Sequence, residues 1–165
     1  MGENEEYSDC FDAIYAISPK LAEQYLLIVW MDTICYNMDR HTENFGFLRD
    51  VHTGEIVSMA PNYDNNIALI SRGYLNTTDR SHDGLVGFFR SFLRDNPRAK
   101  ELYQNMELPT ITDEIIDECL DEIPIEADRD FIRAFILNGQ STVQEAIRED
   151  MGETETEDDS FNLTM

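Results

Sequence analysis

NMDRHTENFGFLRDVHTGEIVSMAPNYD, residues 37–64, is the most informative part of the sequence. Two apolar strand patterns lie between two polar loops, and Thr53-Gly54 between the strand patterns suits a turn, so we predict a β-hairpin. The predicted strands are 45–49 and 55–59, and the polar loops are 37–44 and 60–64. Because an antiparallel hairpin brings its ends together, we expect Asn44 to lie beside Asp64.

The segment before the first polar loop predicts the central element of the domain. Apolar residues occupy nearly every helical face between Leu21 and Tyr36, which is typical of a helix buried on most sides. Ser18-Pro19 predicts its start, since serine caps helices and proline fits the first turn. A shorter helix is predicted over 7–17, where apolar residues have helical spacing.

The segment after the hairpin predicts more helices. A connecting loop is expected over 67–80, and four helices follow it, over about 85–96, 98–106, 112–123 and 128–149. Asn138-Gly139 leaves open a bend or break in the last of them. The predicted fold class is mainly α with a small β-hairpin (α+β). Residues 1–9 are expected to be an acidic N-terminal segment, 10–149 the domain, and 150–165 an acidic disordered tail.

Charge and cysteine content limit the function. There are 34 Asp and Glu against 12 Lys and Arg, a formal net charge of -22. Such a chain repels nucleic acids and anionic membranes and favours a basic protein partner. Cys10, Cys35 and Cys119 have apolar neighbours and no CxxC pairing, so we expect buried thiols in a reducing compartment. With an acidic N-terminus and no apolar run near the ~20 residues that span a bilayer, we expect a cytoplasmic protein.

The two polar loops contain residues suited to phosphoryl transfer. That reaction needs a carboxylate to orient the acceptor hydroxyl and oxygen ligands to hold magnesium on the nucleotide phosphates. Asp39 and Asn44 are five positions apart, the interval of the HxDxxxxN catalytic loop of protein kinases. Asp64, delivered by the hairpin, adds a second hard carboxylate. The structural alternative is that these residues only satisfy turn backbones.

Four features follow one another along the chain: a buried helix, the motif N-x-D-R-H-x-x-N, a hairpin and the motif A-P-x-Y-D. This order resembles the C-terminal lobe of HipA-like serine/threonine kinases. The tripeptide Asp-Arg-His is also similar to a motif of lipid kinases of the phosphatidylinositol type. The resemblance covers roughly 10–148 and is specific over 37–66. It implies Asp39 as the catalytic residue, Asn44 and Asp64 as Mg²⁺ ligands, and transfer of the ATP γ-phosphate to a hydroxyl of a protein substrate.

The resemblance also implies supporting residues around this centre. They are Asn37, Arg40, His41 and Tyr63. We expect His41 to brace the loop rather than bind metal, and Arg40 to form an ion pair rather than bind substrate phosphate. Asn62 and Tyr63 are expected to shape the loop around Asp64.

One part of the family pattern is missing from this sequence. Barely twenty residues precede the central helix, and Lys20 and Lys100, the two lysines, follow no strand pattern. We therefore expect the glycine-rich loop and ATP-contacting lysine to come from a separate N-lobe chain, or the enzyme to be an inactive truncated form.

Two alternatives stay open. The first is a pseudokinase-like acidic module that docks a basic partner, as in toxin-antitoxin regulation; its binding would survive substitution of Asp39 and Asp64, whereas magnesium binding by a kinase would not. The second is a metal-dependent phosphoesterase that uses Asp39, His41 and Asp64.

Overall fold

The computed structural model describes residues 4–65, 68–69, 82–124 and 126–152. Within these ranges the chain is mainly helical with one small antiparallel sheet, as the sequence predicts. The elements are α1 (Asn4–Ile17), α2 (Pro19–Cys35), β1 (Phe47–Arg49), β2 (Ile56–Met59), α3 (Asp83–Asp95), α4 (Pro97–Asn105), α5 (Asp113–Asp121) and α6 (Arg129–Met151). Most of the predicted connecting loop and of the predicted tail lies outside the described residues.

Helix α2 is the centre of the core. It begins at Pro19 after Ser18, as predicted, although the Ser18 side chain makes no capping hydrogen bond. Tyr25, Leu26 and Trp30 are almost completely buried, and α1, α3, α4, α6 and β2 all pack against this helix. The helix ends at Tyr36, whose left-handed backbone (φ 57°) turns the chain into the first polar loop.

Helix α1 covers one side of α2 and contacts α3 through aromatic rings. It begins at Asn4, three residues before the predicted start at Tyr7. The rings of Phe11 and Phe92 meet edge to face at 5.7 Å between centroids. Burial of such rings is a major source of stability in a domain of this size.

Helix α6 crosses α2 without a break. The bend left open at Asn138-Gly139 does not occur, because Gly139 lies within a continuous helix. A Cβ atom at this position would lie 2.5 Å from the Ile34 carbonyl oxygen and 2.6 Å from Nε2 of His82. The glycine therefore permits a close helix crossing.

The hairpin is built as predicted, with a β-bulge. Phe47 pairs with Met59 in antiparallel register, and the register shifts by one residue between Leu48 and Arg49. Asp50 Oδ1 accepts hydrogen bonds from two backbone N–H groups of the turn, each 2.8 Å long. Gln24 of α2 accepts a bond from the Met59 N–H at 2.8 Å, which ties the hairpin to the core.

The cysteine prediction is partly wrong. Cys119 is exposed, whereas Cys10 and Cys35 are half-buried. Helix α5 buries only its Ile116 and Leu120 positions, so Cys119 faces solvent. Burial raises the pKa of the Cys35 thiol to about 11, so this group stays protonated at neutral pH.

None of the helices in the described ranges combines the length and apolar character needed to cross a bilayer.

Candidate functional site

The loop after α2 is organised by hydrogen bonds among its own residues. The Asn37 side chain accepts a bond from the Asp39 N–H at 3.3 Å. Asn44 donates its Nδ2 to the Asp39 carbonyl oxygen at 2.7 Å, and its own N–H donates to the His41 carbonyl at 2.9 Å. Asn44 is buried and Asp39 is half-buried, so the two residues predicted to act together are held in one compact turn.

Arg40 enters the core from this loop and pairs with Asp32 of α2. Its Nε and Nη2 donate to the two carboxylate oxygens at 2.6 and 2.8 Å, and both side chains are buried. Burial raises the pKa of Asp32, and the bonds from Arg40 and Asn37 oppose this shift. Desolvation lowers the pKa of Arg40, but the paired carboxylate outweighs it, so its pKa lies above the ordinary value. The ion pair expected for Arg40 is present.

The same guanidinium joins the two polar loops. Nη1 donates to the backbone carbonyl of Asn44 and, at 3.1 Å, to that of Tyr63. Nη2 also donates to the side-chain oxygens of Asn62 and Asn65, at 2.7 and 2.8 Å. One buried cation thus fixes the backbone on both sides of the candidate site.

Two further bonds bring the loops together. The Ala60 N–H donates to the Gly46 carbonyl at 2.8 Å at the foot of the hairpin. The Tyr63 hydroxyl donates to the Glu43 carbonyl at 3.1 Å. The hairpin therefore brings the two polar loops together, as expected from the sequence.

Asp64 lies between two residues that Arg40 holds. It has a left-handed backbone, with φ 57°, a conformation that aspartate tolerates better than most residues. Its side chain is exposed, and its carboxylate has no hydrogen-bond or ion-pair partner among the described residues. Asp64 is thus positioned through its backbone while its carboxylate stays accessible.

His41 and Tyr63 lie at the rim of the site. The His41 ring accepts a 3.3 Å bond from the Glu43 N–H and is exposed. This bond is local to the loop, two residues apart in the sequence. Tyr63 is also exposed, at 42%, and acts through its hydroxyl rather than by burial of its ring.

Sequence reasoning missed Asp32 and Asn65. Asn65 accepts bonds from both Arg40 and Asn37, and Asp32 anchors the whole network. Asp32 did give a signal, because it is the only charged residue between Leu26 and Cys35 in the apolar helix. A buried acid in such a helix requires a partner, and Arg40 is the nearest cation that follows it.

The available atoms at this site are hard oxygen donors. Asn44 directs its Nδ2 inward to the Asp39 carbonyl, so its Oδ1 is the atom left for a ligand. Mg²⁺ in proteins is bound by few side-chain oxygens and keeps several waters. The Asn44 amide oxygen and the Asp64 carboxylate are oxygens of the kind that it binds. Across the described ranges, no three His, Cys, Asp or Glu side chains form a group that could hold a metal ion.

The chain matches no known protein-family model, no curated protein and no solved structure.

Proposed function

We propose that residues 37–65 form the magnesium-binding and acceptor-orienting site of a kinase-like phosphotransferase lobe of the HipA type. The observation that carries the proposal is the position of Arg40. Its guanidinium hydrogen-bonds the Asn44 and Tyr63 carbonyls from one buried point. That contact supports a juxtaposition of Asn44 with Asp64, the residue next to Tyr63.

In this proposal the acceptor hydroxyl of a protein substrate binds at Asp39. Asn44 holds the Asp39 backbone at 2.7 Å, which restricts the directions available to its carboxylate. A positioned carboxylate orients the hydroxyl and accepts its proton as the phosphoryl group is transferred. Much of the catalytic effect of such a site comes from this fixed geometry.

Asn44 Oδ1 and the Asp64 carboxylate are the proposed Mg²⁺ ligands. The bound ion would supply charge neutralisation on the nucleotide phosphates. Arg40 holds the backbone near both ligands, and Asp32 holds Arg40. A glycine-rich loop and an ATP-contacting lysine would complete the nucleotide site of such an enzyme.

Calorimetric titration of the purified chain with MgCl₂ tests the metal site directly, without requiring ATP. We expect one saturable site in the wild type. Asp64→Asn should weaken it at least about tenfold, which corresponds to about 1.4 kcal/mol. Glu43→Gln is the matched control, because it removes one exposed carboxylate from the same site region without removing a proposed ligand.

The Glu43→Gln control distinguishes a specific magnesium site from the general attraction of cations to a chain of net charge -22. Equal weakening by Asp64→Asn and Glu43→Gln would indicate nonspecific binding and contradict the proposal. So would a wild-type chain that gives no saturable heat. In either case the acidic binding module, which needs neither carboxylate, becomes the better explanation.

A further inference from the structure

A groove between α3, α4 and α6 collects positive charge on an otherwise acidic chain. It has a volume of about 430 Å³, and Arg90, Arg94 and Lys100 line it. The whole chain has only 12 lysines and arginines. Three of them share this groove, and among the described residues that line it Asp150 is the only acidic one.

These cations already bind two carboxylates, Asp150 and Asp95, and have capacity for more. Arg90 holds Asp150 with two bonds, of 2.7 and 2.5 Å. Among the described residues, Arg94 bonds its neighbour Asp95 alone, and it is 71% exposed. Lys100 has no ion-pair partner among the residues that the structure describes. The hydrogen bonds from Arg90 lower the pKa of Asp150, and the charges of Arg94 and Lys100 contribute to the shift. The groove is therefore suited to carboxylates.

The floor of the groove is apolar. Leu93 of α3 and Ile147 and Met151 of α6 form this part of its lining. A ligand that fits it carries both carboxylates and apolar side chains.

The sequence that follows α6 at this groove contains both carboxylates and apolar side chains. Helix α6 ends at Gly152, whose φ of 73° and bonds to the Arg148 and Glu149 carbonyls form a left-handed C-cap. Caps of this kind turn the chain away from the helix axis. The residues that follow, 153–165, read ETETEDDSFNLTM, with five acids before Phe161, Leu163 and Met165.

We propose that the segment 153–165 docks in the α3–α4–α6 groove, with its carboxylates on Arg94 and Lys100 and its apolar residues on the groove floor. Thirteen residues span at most about 45 Å, and the segment starts beside Met151 at the groove wall, so it reaches every lining residue. This proposal does not rest on the proposed phosphotransferase function.

Carbodiimide crosslinking of the full-length protein tests this docking. The reagent joins a lysine amine to a carboxylate only where the two are in contact, and the chain has two lysines, Lys20 and Lys100. Mass spectrometry should find Lys100 joined to acids within 153–159 and Lys20 joined to none of them. In 0.5 M NaCl, where the Debye length is about 4 Å, the Lys100 yield should fall at least about fivefold.

Two charge-reversal variants sharpen the experiment. Arg94→Glu places a carboxylate in the groove and should lower the Lys100 crosslink several-fold, whereas Arg49→Glu on β1 makes the same charge change elsewhere and should leave it unchanged. Arg94 is exposed and its one bonded partner in the described part of the chain is its neighbour Asp95, so the fold should survive, which circular dichroism checks.

Three outcomes would overturn the proposal. One is the absence of any link between Lys100 and 153–159. Another is equal linking of Lys20 and Lys100, which would indicate unspecific contact. The third is linking between ¹⁵N-labelled and unlabelled copies only, which would place the segment of a second copy in the groove.

Discussion

Arg40 uses all of its hydrogen-bond donors inside the protein. A guanidinium has five N–H donors, and those of Arg40 reach Asp32, the Asn44 carbonyl and the 62–65 loop. Lysine could not replace it, because an ammonium group lacks the planar fork that reaches several acceptors at once. At the residue scale the candidate site therefore depends on one buried side chain.

Arg40→Met should destabilise the fold strongly, because it leaves the buried Asp32 carboxylate unpaired. We expect a loss of about 3–5 kcal/mol in the free energy of unfolding, measured by urea denaturation. The matched control Arg94→Met removes an exposed cation and should cost less than about 0.5 kcal/mol.

A second substitution distinguishes loss of the ion pair from loss of volume. Replacing both partners, as Asp32→Leu with Arg40→Met, should recover much of the stability, since apolar pairs often replace buried ion pairs without penalty. A cost below about 1 kcal/mol for Arg40→Met alone would show that Asp32 is not held as the structure indicates.

At the element scale, local signals in the sequence predicted most of the architecture. Ser18-Pro19 located the start of α2, and Thr53-Gly54 located the hairpin turn, because both depend on neighbouring residues only. The bond between Asp32 and Arg40 could not be predicted in the same way. It forms because Tyr36 adopts a left-handed conformation that folds the loop back on the helix. A tyrosine in the sequence does not predict that conformation.

The crossing of α6 over α2 shows the same limit. A glycine inside a helix predicts a weak point, since it lowers helix propensity. Here Gly139 is instead required by the partner helix, whose Ile34 carbonyl occupies the space of a side chain. His82 fills the remaining space, with Nε2 3.0 Å from the same carbonyl and its ring 4.4 Å from that of Phe135. Only the tertiary structure reveals this role.

Two glycine substitutions should therefore have opposite effects on stability. Gly139→Ala forces a Cβ against a backbone oxygen, and we expect a loss of about 1–3 kcal/mol despite the better helix propensity. Gly87→Ala in α3 meets no atom within 4 Å and should gain about 0.5–1 kcal/mol. Thermal and urea unfolding of both variants provide the measurement, and a neutral or stabilising Gly139→Ala would contradict the close crossing.

On the scale of the whole molecule, charge is unevenly distributed. The formal net charge is -22, yet Arg40 is buried in the core and three other cations line the α3–α4–α6 groove. Much of the remaining surface is acidic and repels itself, which destabilises a compact state.

Screening should therefore stabilise the protein. Raising NaCl from 0.05 to 0.5 M shortens the Debye length from about 14 to about 4 Å, and we expect Tm to rise and then level off. Choline chloride should act equally, because the effect needs no specific cation, and Asp64→Asn should show the same rise. MgCl₂ added at constant ionic strength should differ: a specific site stabilises by RT ln(1 + [Mg²⁺]/Kd), about 2.7 kcal/mol at 100 times Kd, and only in proteins that retain Asp64. A Tm that falls with NaCl would show that attractive ion pairs, such as Arg90 with Asp150, outweigh the repulsion among the acids.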